Sequence, residues 1–98
     1  MQLQFFEEAN REVELHREWY RQRSESAEAG FLGELDHAIS QVMAGPHRWP
    51  HFNNDTRRYV FPKYPFSLIY FVEDDVINIV AVAHENRKPG YWRKRLLK

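Results

Sequence analysis

A chain of 98 residues with 43% hydrophobic and 15% aromatic residues has the means to bury one modest core, so its 29% charged content reads as solvated surface and not as disorder. It has no cysteine, which excludes disulfides and thiolate zinc sites and suits a reducing compartment. Formal net charge is zero, yet residues 1–49 hold five Lys/Arg against nine Asp/Glu and residues 50–98 hold nine against five, which marks either a surface for a polyanion or an acidic protein partner or two halves that neutralise each other once packed.

The opening "MQLQFFEEAN" places acids where a signal peptide carries cations, and no apolar run approaches the ~20 residues of a membrane span. A single cytoplasmic domain over residues 1–98 is expected. "LQFF" is short, apolar and aromatic, as a strand would be, and Ala9, Val13, His16 and Tyr20 then recur at helical spacing. "RSESAEAG" interrupts that pattern before Phe31, Leu35, Ile39 and Val42 line one face of a second helix, predicting a helical hairpin. Gly30 and Gly33 fit either close helix approach or a frayed first turn. Gly45 and Pro46 stop the helix, and a loop runs to about Asp55.

From Arg57 onward β-branched and aromatic residues dominate. Arg57 to Phe61 predicts a strand; Phe66 to Val72 and Val76 to Ala83, joined by "EDD", predict an antiparallel hairpin. The almost unbroken apolar run from Ile77 to Ala83 predicts a strand covered on both faces or placed centrally. Pro89 suits the first position of a last short helix. The chain ends in a cationic aromatic tail, "RKPGYWRKRLLK", with six Lys/Arg from Arg87 onward around Tyr91 and Trp92.

Candidate chemistry in these elements is sparse. His84 ends a strand and is either a proton-transfer group or a histidine capping backbone carbonyls. "HENRK" lacks the second histidine of a zinc-protease helix, and His47 and His51 have no acidic or thiolate companions, so no metal and no cofactor are expected. Trp19 and Tyr20 read as core. Arg57 and Arg58 alternate faces, so at most one of them joins a common site. Trp92 is suited to anchor the tail on the sheet through its ring, with its N–H left exposed.

Taken in order, the helix with "EWY", the "FLGELDHAI" helix, the Pro-rich loop, "RRYVFPKYPFSLIYFV", "IVAVAH" and "RKPGYWRKR" resemble the RelE/ParE superfamily of bacterial toxins along the whole chain. The resemblance implies an α+β toxin of a type II toxin-antitoxin module. Its N-terminal strand and helical hairpin would pack on a small antiparallel sheet, followed by a short C-terminal helix or arm. It also implies a cognate antitoxin that folds on binding, with Phe5, Phe6, Tyr59 and Phe66 as apolar contact sites for it.

Function divides within that superfamily. One branch cleaves messenger RNA on the ribosome, and the ParE-like branch inhibits DNA gyrase. Nuclease members similar to RelE carry basic residues along the strand matching Arg58 to Val60, an arginine early in the middle hairpin strand, another just past the last strand, and often a tail tyrosine. Here those places hold Arg58 but Val60, then Ser67, Glu85 and Tyr91, so most of the cations that would stabilise a phosphorane are missing. A pI of about 7.0 also suits a ribosome-bound nuclease poorly. The ParE-like reading is therefore preferred: a non-enzymatic gyrase inhibitor that binds its partner through Arg87, Lys88, Tyr91, Trp92, Arg93, Lys94 and Arg95, with direct nucleic-acid binding not favoured. The alternatives are an endoribonuclease using His84, Arg87, Tyr91 and Arg58, and an inactive fold that keeps only antitoxin binding.

Overall fold

The computed structural model describes residues 1–53 and 55–97; Asn54, in the predicted loop, and Lys98, one of the tail's cations, lie outside them. Strand β1 (Gln2–Phe5) leads directly into helix α1 (Glu7–Arg21), whose first turn carries Glu7 and Glu8 and whose last turn carries Arg21, each favourable to the helix dipole. Helix α2 (Glu25–Ala44) starts at Ser24, whose hydroxyl accepts the Ala27 N–H at 2.9 Å. It begins a full turn and more before Phe31, so "SESAEAG" belongs mostly to the helix and does not interrupt it. Gly30 explains why: a Cβ there would collide with the Tyr64 hydroxyl, so the glycine admits an aromatic ring from the sheet side and does not fray the helix. Phe31, Leu35, Ala38 and Val42 are buried, Ala38 taking the innermost place expected of Ile39.

The strands β2 (Arg57–Val60), β3 (Phe66–Glu73) and β4 (Val76–His84) complete a sheet of order β1-β4-β3-β2. The expected antiparallel arrangement holds for β2, β3 and β4. Strand β1 instead lies parallel to β4, pairing Gln2 with Val76 through Phe5 with Ile79, which makes the sheet mixed. The helical hairpin supplies the crossover that parallel pairing requires. The β3–β4 turn is tight, with Asp74 and Asp75 both in the left-handed region at φ 53° and 62°.

As predicted, β4 is internal and covered on both faces. On one side Phe31, Phe66, Leu68, Tyr70, Ile77, Ile79 and Val82 form the main core under the helices. On the other, Ile69, Val80 and Ala81 are buried beneath Trp92. The pairing shifts between Ile69, opposite Ala81, and Tyr70, opposite Ile79, so Val80 is an extra residue in β4. That bulge puts Val80 and Ala81 against the same cluster, which is one reason the apolar run lacks alternation. After β4 the chain makes a turn closed by Arg87 N–H to the His84 carbonyl, passes Gly90 at φ 77°, and ends in a 3-10 helix, Arg93–Leu97. No helix starts at Pro89, because Gly90 in the left-handed region breaks the run. Among the described residues no helix is long and apolar enough to cross a membrane.

Candidate functional site

Helix α1 carries an acid on its buried face. Glu12 follows Ala9 by three residues and precedes His16 by four, so it lies on the apolar stripe and is only 7% exposed. Its carboxylate is fully engaged: Oε1 accepts the Val82 N–H at 3.0 Å and Arg95 Nη1 at 2.9 Å, while Oε2 accepts Arg95 Nη2 at 3.0 Å and the Tyr91 hydroxyl. Arg95 Nη1 also donates to the Val80 carbonyl at 2.9 Å. One turn further along α1, His16 Nε2 lies 3.1 Å from the Val82 carbonyl, and its imidazole is held below the usual histidine range, first by burial. Burial opposes the charge on Arg95, but the hydrogen bonds and charge of Glu12 outweigh it and raise its pKa. Burial and then the Glu12 bond push the Tyr91 phenol well above its ordinary value, so it stays protonated and donates.

The tail is therefore divided by direction. Tyr91, Trp92 and Arg95 turn inward. Trp92 is 1% exposed, and its ring anchors the tail on Ile69, Val80 and Ala81 of the sheet, as expected. Arg95, expected among the solvated partner-binding cations, is instead paired with Glu12, as is the hydroxyl of Tyr91. Arg87, Lys88, Arg93 and Lys94 remain exposed, and Arg87 rests on the Tyr91 ring at 3.8 Å. The sequence signal that marked this node was available: a carboxylate at the spacing of an apolar stripe.

The residues named for nuclease chemistry share one cleft without converging in it. Arg58, Ser67, His84, Glu85, Arg87 and Tyr91 all contribute to a depression of about 90 Å³ between the sheet and the tail. Arg58 lies opposite Ile69 on the tail face, its guanidinium 4.8 Å from the Phe52 ring. His84 pairs with Phe66 and stands edge-on to that ring at 5.2 Å, on the helix face. Its Nδ1 accepts the Asn86 N–H at 3.0 Å, so it caps a backbone donor and not a carbonyl. The Tyr91 hydroxyl points to Glu12. Among the described residues no acidic or histidine cluster is grouped to hold a metal ion.

A second surface lies on α1. Leu15 and Trp19, one turn apart, are 69% and 51% exposed, which corrects the placing of Trp19 in the core. Tyr20 turns inward and stacks on Phe31 at 5.3 Å. With His16, Pro65, Phe66 and His84 they line a half-open groove of about 440 Å³. The apolar residues expected to contact a partner are mostly spent elsewhere: Tyr59 and Phe66 are buried in the core, and Phe5 and Phe6 pack half-buried against it.

This arrangement defines a small α+β domain with an apolar helical ridge and a cationic arm on a packed frame. The chain belongs to the ParE family: the family described as ParE toxin of type II toxin-antitoxin system, parDE, matches residues 3–89. It is similar in fold to a solved structure described as the chromosomal ParDE TA system from P. aeruginosa. That match has a TM-score of 0.74 and 14% identity, and covers 86% of this chain and 95% of the other. No curated protein matches it in sequence. The protein is thus a ParE-type toxin of a type II toxin-antitoxin system.

Proposed function

We propose that this toxin acts without chemistry of its own, by binding DNA gyrase through the outward cations of its arm, and that a cognate antitoxin neutralises it. The observation that carries this reading is the division of the tail. Anchoring by Trp92 and by the Arg95–Glu12 pair leaves Arg87, Lys88, Arg93 and Lys94 exposed on a fixed support, which suits recognition of an acidic protein surface or a DNA-bound enzyme. The nuclease alternative is weakened because the Tyr91 hydroxyl is committed to Glu12, while His84 packs on Phe66 and Arg58 on Phe52.

The antitoxin reading draws on α1. The exposed pair Leu15 and Trp19, beside a groove, fits the apolar face of an amphipathic segment, and Arg23, stacked on Trp19 at 3.2 Å, favours an acidic one. Two variants test the assignment. Arg93→Glu with Lys94→Glu changes exposed positions worth about 0.5 kcal/mol or less each to folding, and should abolish inhibition of gyrase supercoiling while antitoxin binding persists. Trp19→Glu should do the reverse. Full inhibition by the double variant would place the gyrase surface elsewhere. Codon-specific cuts on ribosomes that vanish in His84→Ala would restore the nuclease reading.

A further inference from the structure

We propose that Glu12 is the positioning residue of the arm: a latch on α1 that acts through Arg95 and Tyr91 to hold Arg87, Lys88, Arg93 and Lys94 in one presentation. The inference rests on the reading of the arm as the target-binding surface. It identifies which residue outside the arm makes that surface usable.

Three elements meet at this carboxylate. Helix α1 supplies Glu12, β4 supplies the Val82 N–H, and the tail supplies Arg95 and Tyr91. Only a carboxylate has acceptor sites enough to take a bidentate guanidinium, a phenol and a backbone N–H together. Such a buried pair is poor evidence for stability, since a well-packed apolar replacement often serves as well, but it specifies one arrangement over others. Here the arrangement specified is that of the arm. Every outward cation of the described arm lies within four residues of an inward anchor: Lys88 and Arg93 flank the Tyr91–Trp92 pair, Lys94 abuts Arg95, and Arg87 stacks on Tyr91. Short turns carry the geometry between them, with Tyr91, Arg93 and Arg95 N–H bonded to the carbonyls of Lys88, Gly90 and Trp92. Without Glu12, Arg95 keeps its bond to the Val80 carbonyl, and Tyr91 loses its acceptor. The cations would survive chemically but scatter, and each binding event would have to order them again.

The test compares wild type with Glu12→Gln, which keeps the side chain's size but offers one acceptor oxygen and no charge. Three quantities are read: amide hydrogen exchange at Tyr91, Arg93 and Arg95, the concentration giving half inhibition of gyrase supercoiling, and affinity for the antitoxin. Exchange at those amides should quicken and inhibition weaken by about tenfold or more, with antitoxin affinity within about threefold of wild type. Glu12→Gln combined with Arg95→Gln, which restores a neutral hydrogen-bonded pair, should recover part of both losses; it also serves if the single variant folds poorly. Unchanged exchange at the three amides overturns the latch, as does a parallel loss of antitoxin affinity and potency, which marks a merely structural role. If wild type leaves gyrase unaffected, the target reading falls, and the exchange result alone decides whether Glu12 holds the arm.

Discussion

Replacing Trp92 by alanine asks whether the arm is part of the folded unit or an appendage. Trp92 is 1% exposed and covers Ile69, Val80 and Ala81, with the Phe52 ring 5.9 Å away. Truncating a buried tryptophan costs roughly 3–5 kcal/mol, and the lower end applies because a terminal segment can collapse into the space. For a domain of this size ~1 kcal/mol moves the melting temperature by ~4–8 °C, so a loss of ~3 kcal/mol predicts a fall of about 12–24 °C. Far-UV circular dichroism and the fluorescence of Trp19 and Trp49, followed together, should report a single transition at the lower temperature. Trp92→Phe should lose roughly half as much, since part of the ring contact remains. A fall below ~4 °C would refute the reasoning: the arm would then open locally, outside the cooperative unit, and its packing would contribute little to the fold.

Two further outcomes follow from the same structure. His16 is held below its ordinary pKa by burial, against the raising influence of its Val82 bond and Glu12, with His84 and Arg87 lowering it further. The unfolded chain therefore binds a proton that the folded chain resists, and stability should fall as pH drops below about 6.5, the unfolded histidine value. Thermal melts between pH 7.5 and 5 should show less acid-side loss in His16→Gln than in wild type; equal loss would assign the effect to other groups. In the hairpin turn, Asp74→Asn with Asp75→Gly relieves two left-handed residues at φ 53° and 62° and should raise stability by ~0.5–1 kcal/mol, or a few degrees of melting temperature.

Locally encoded features were legible in the sequence. The stripes Ala9–Val13–His16–Tyr20 and Phe31–Leu35–Ile39–Val42 mark the core-facing sides of the helices, with Ala38 buried in place of Ile39, Gly45 marks a helix end, and "EDD" marks a hairpin turn, because each depends on near neighbours. Gly30 misled because its partner, Tyr64, is remote in sequence and joins it only through the sheet. The parallel docking of β1 on β4 is likewise a long-range pairing that no short-range pattern announces. In the tail, Arg93, Lys94 and Arg95 are chemically alike to a reader of the sequence, and only the 3-10 turn decides that the third faces inward. Glu12 differs from the rest of the charged content, which reads as solvated surface, only in its spacing from Ala9 and His16.

The division of charge between the halves of the chain has a structural use at the edge of β4. Strand β1 pairs only from Val76 to Ile79, after which the backbone of β4 would present an open edge, a template for unwanted strand pairing. Side chains occupy that edge instead: Glu12 takes the Val82 N–H, His16 engages its carbonyl, and Arg95 takes the carbonyl of Val80, while the Phe6 N–H closes Ile79. An acid from the negative half and a cation from the positive half thus meet where a strand is missing, and their mutual neutralisation makes the burial tolerable. Only one tail cation among those described is consumed in this way. The outward ones keep their charge, and the Glu12–Arg95 contact that helps to close the edge is the same one proposed above to hold the arm.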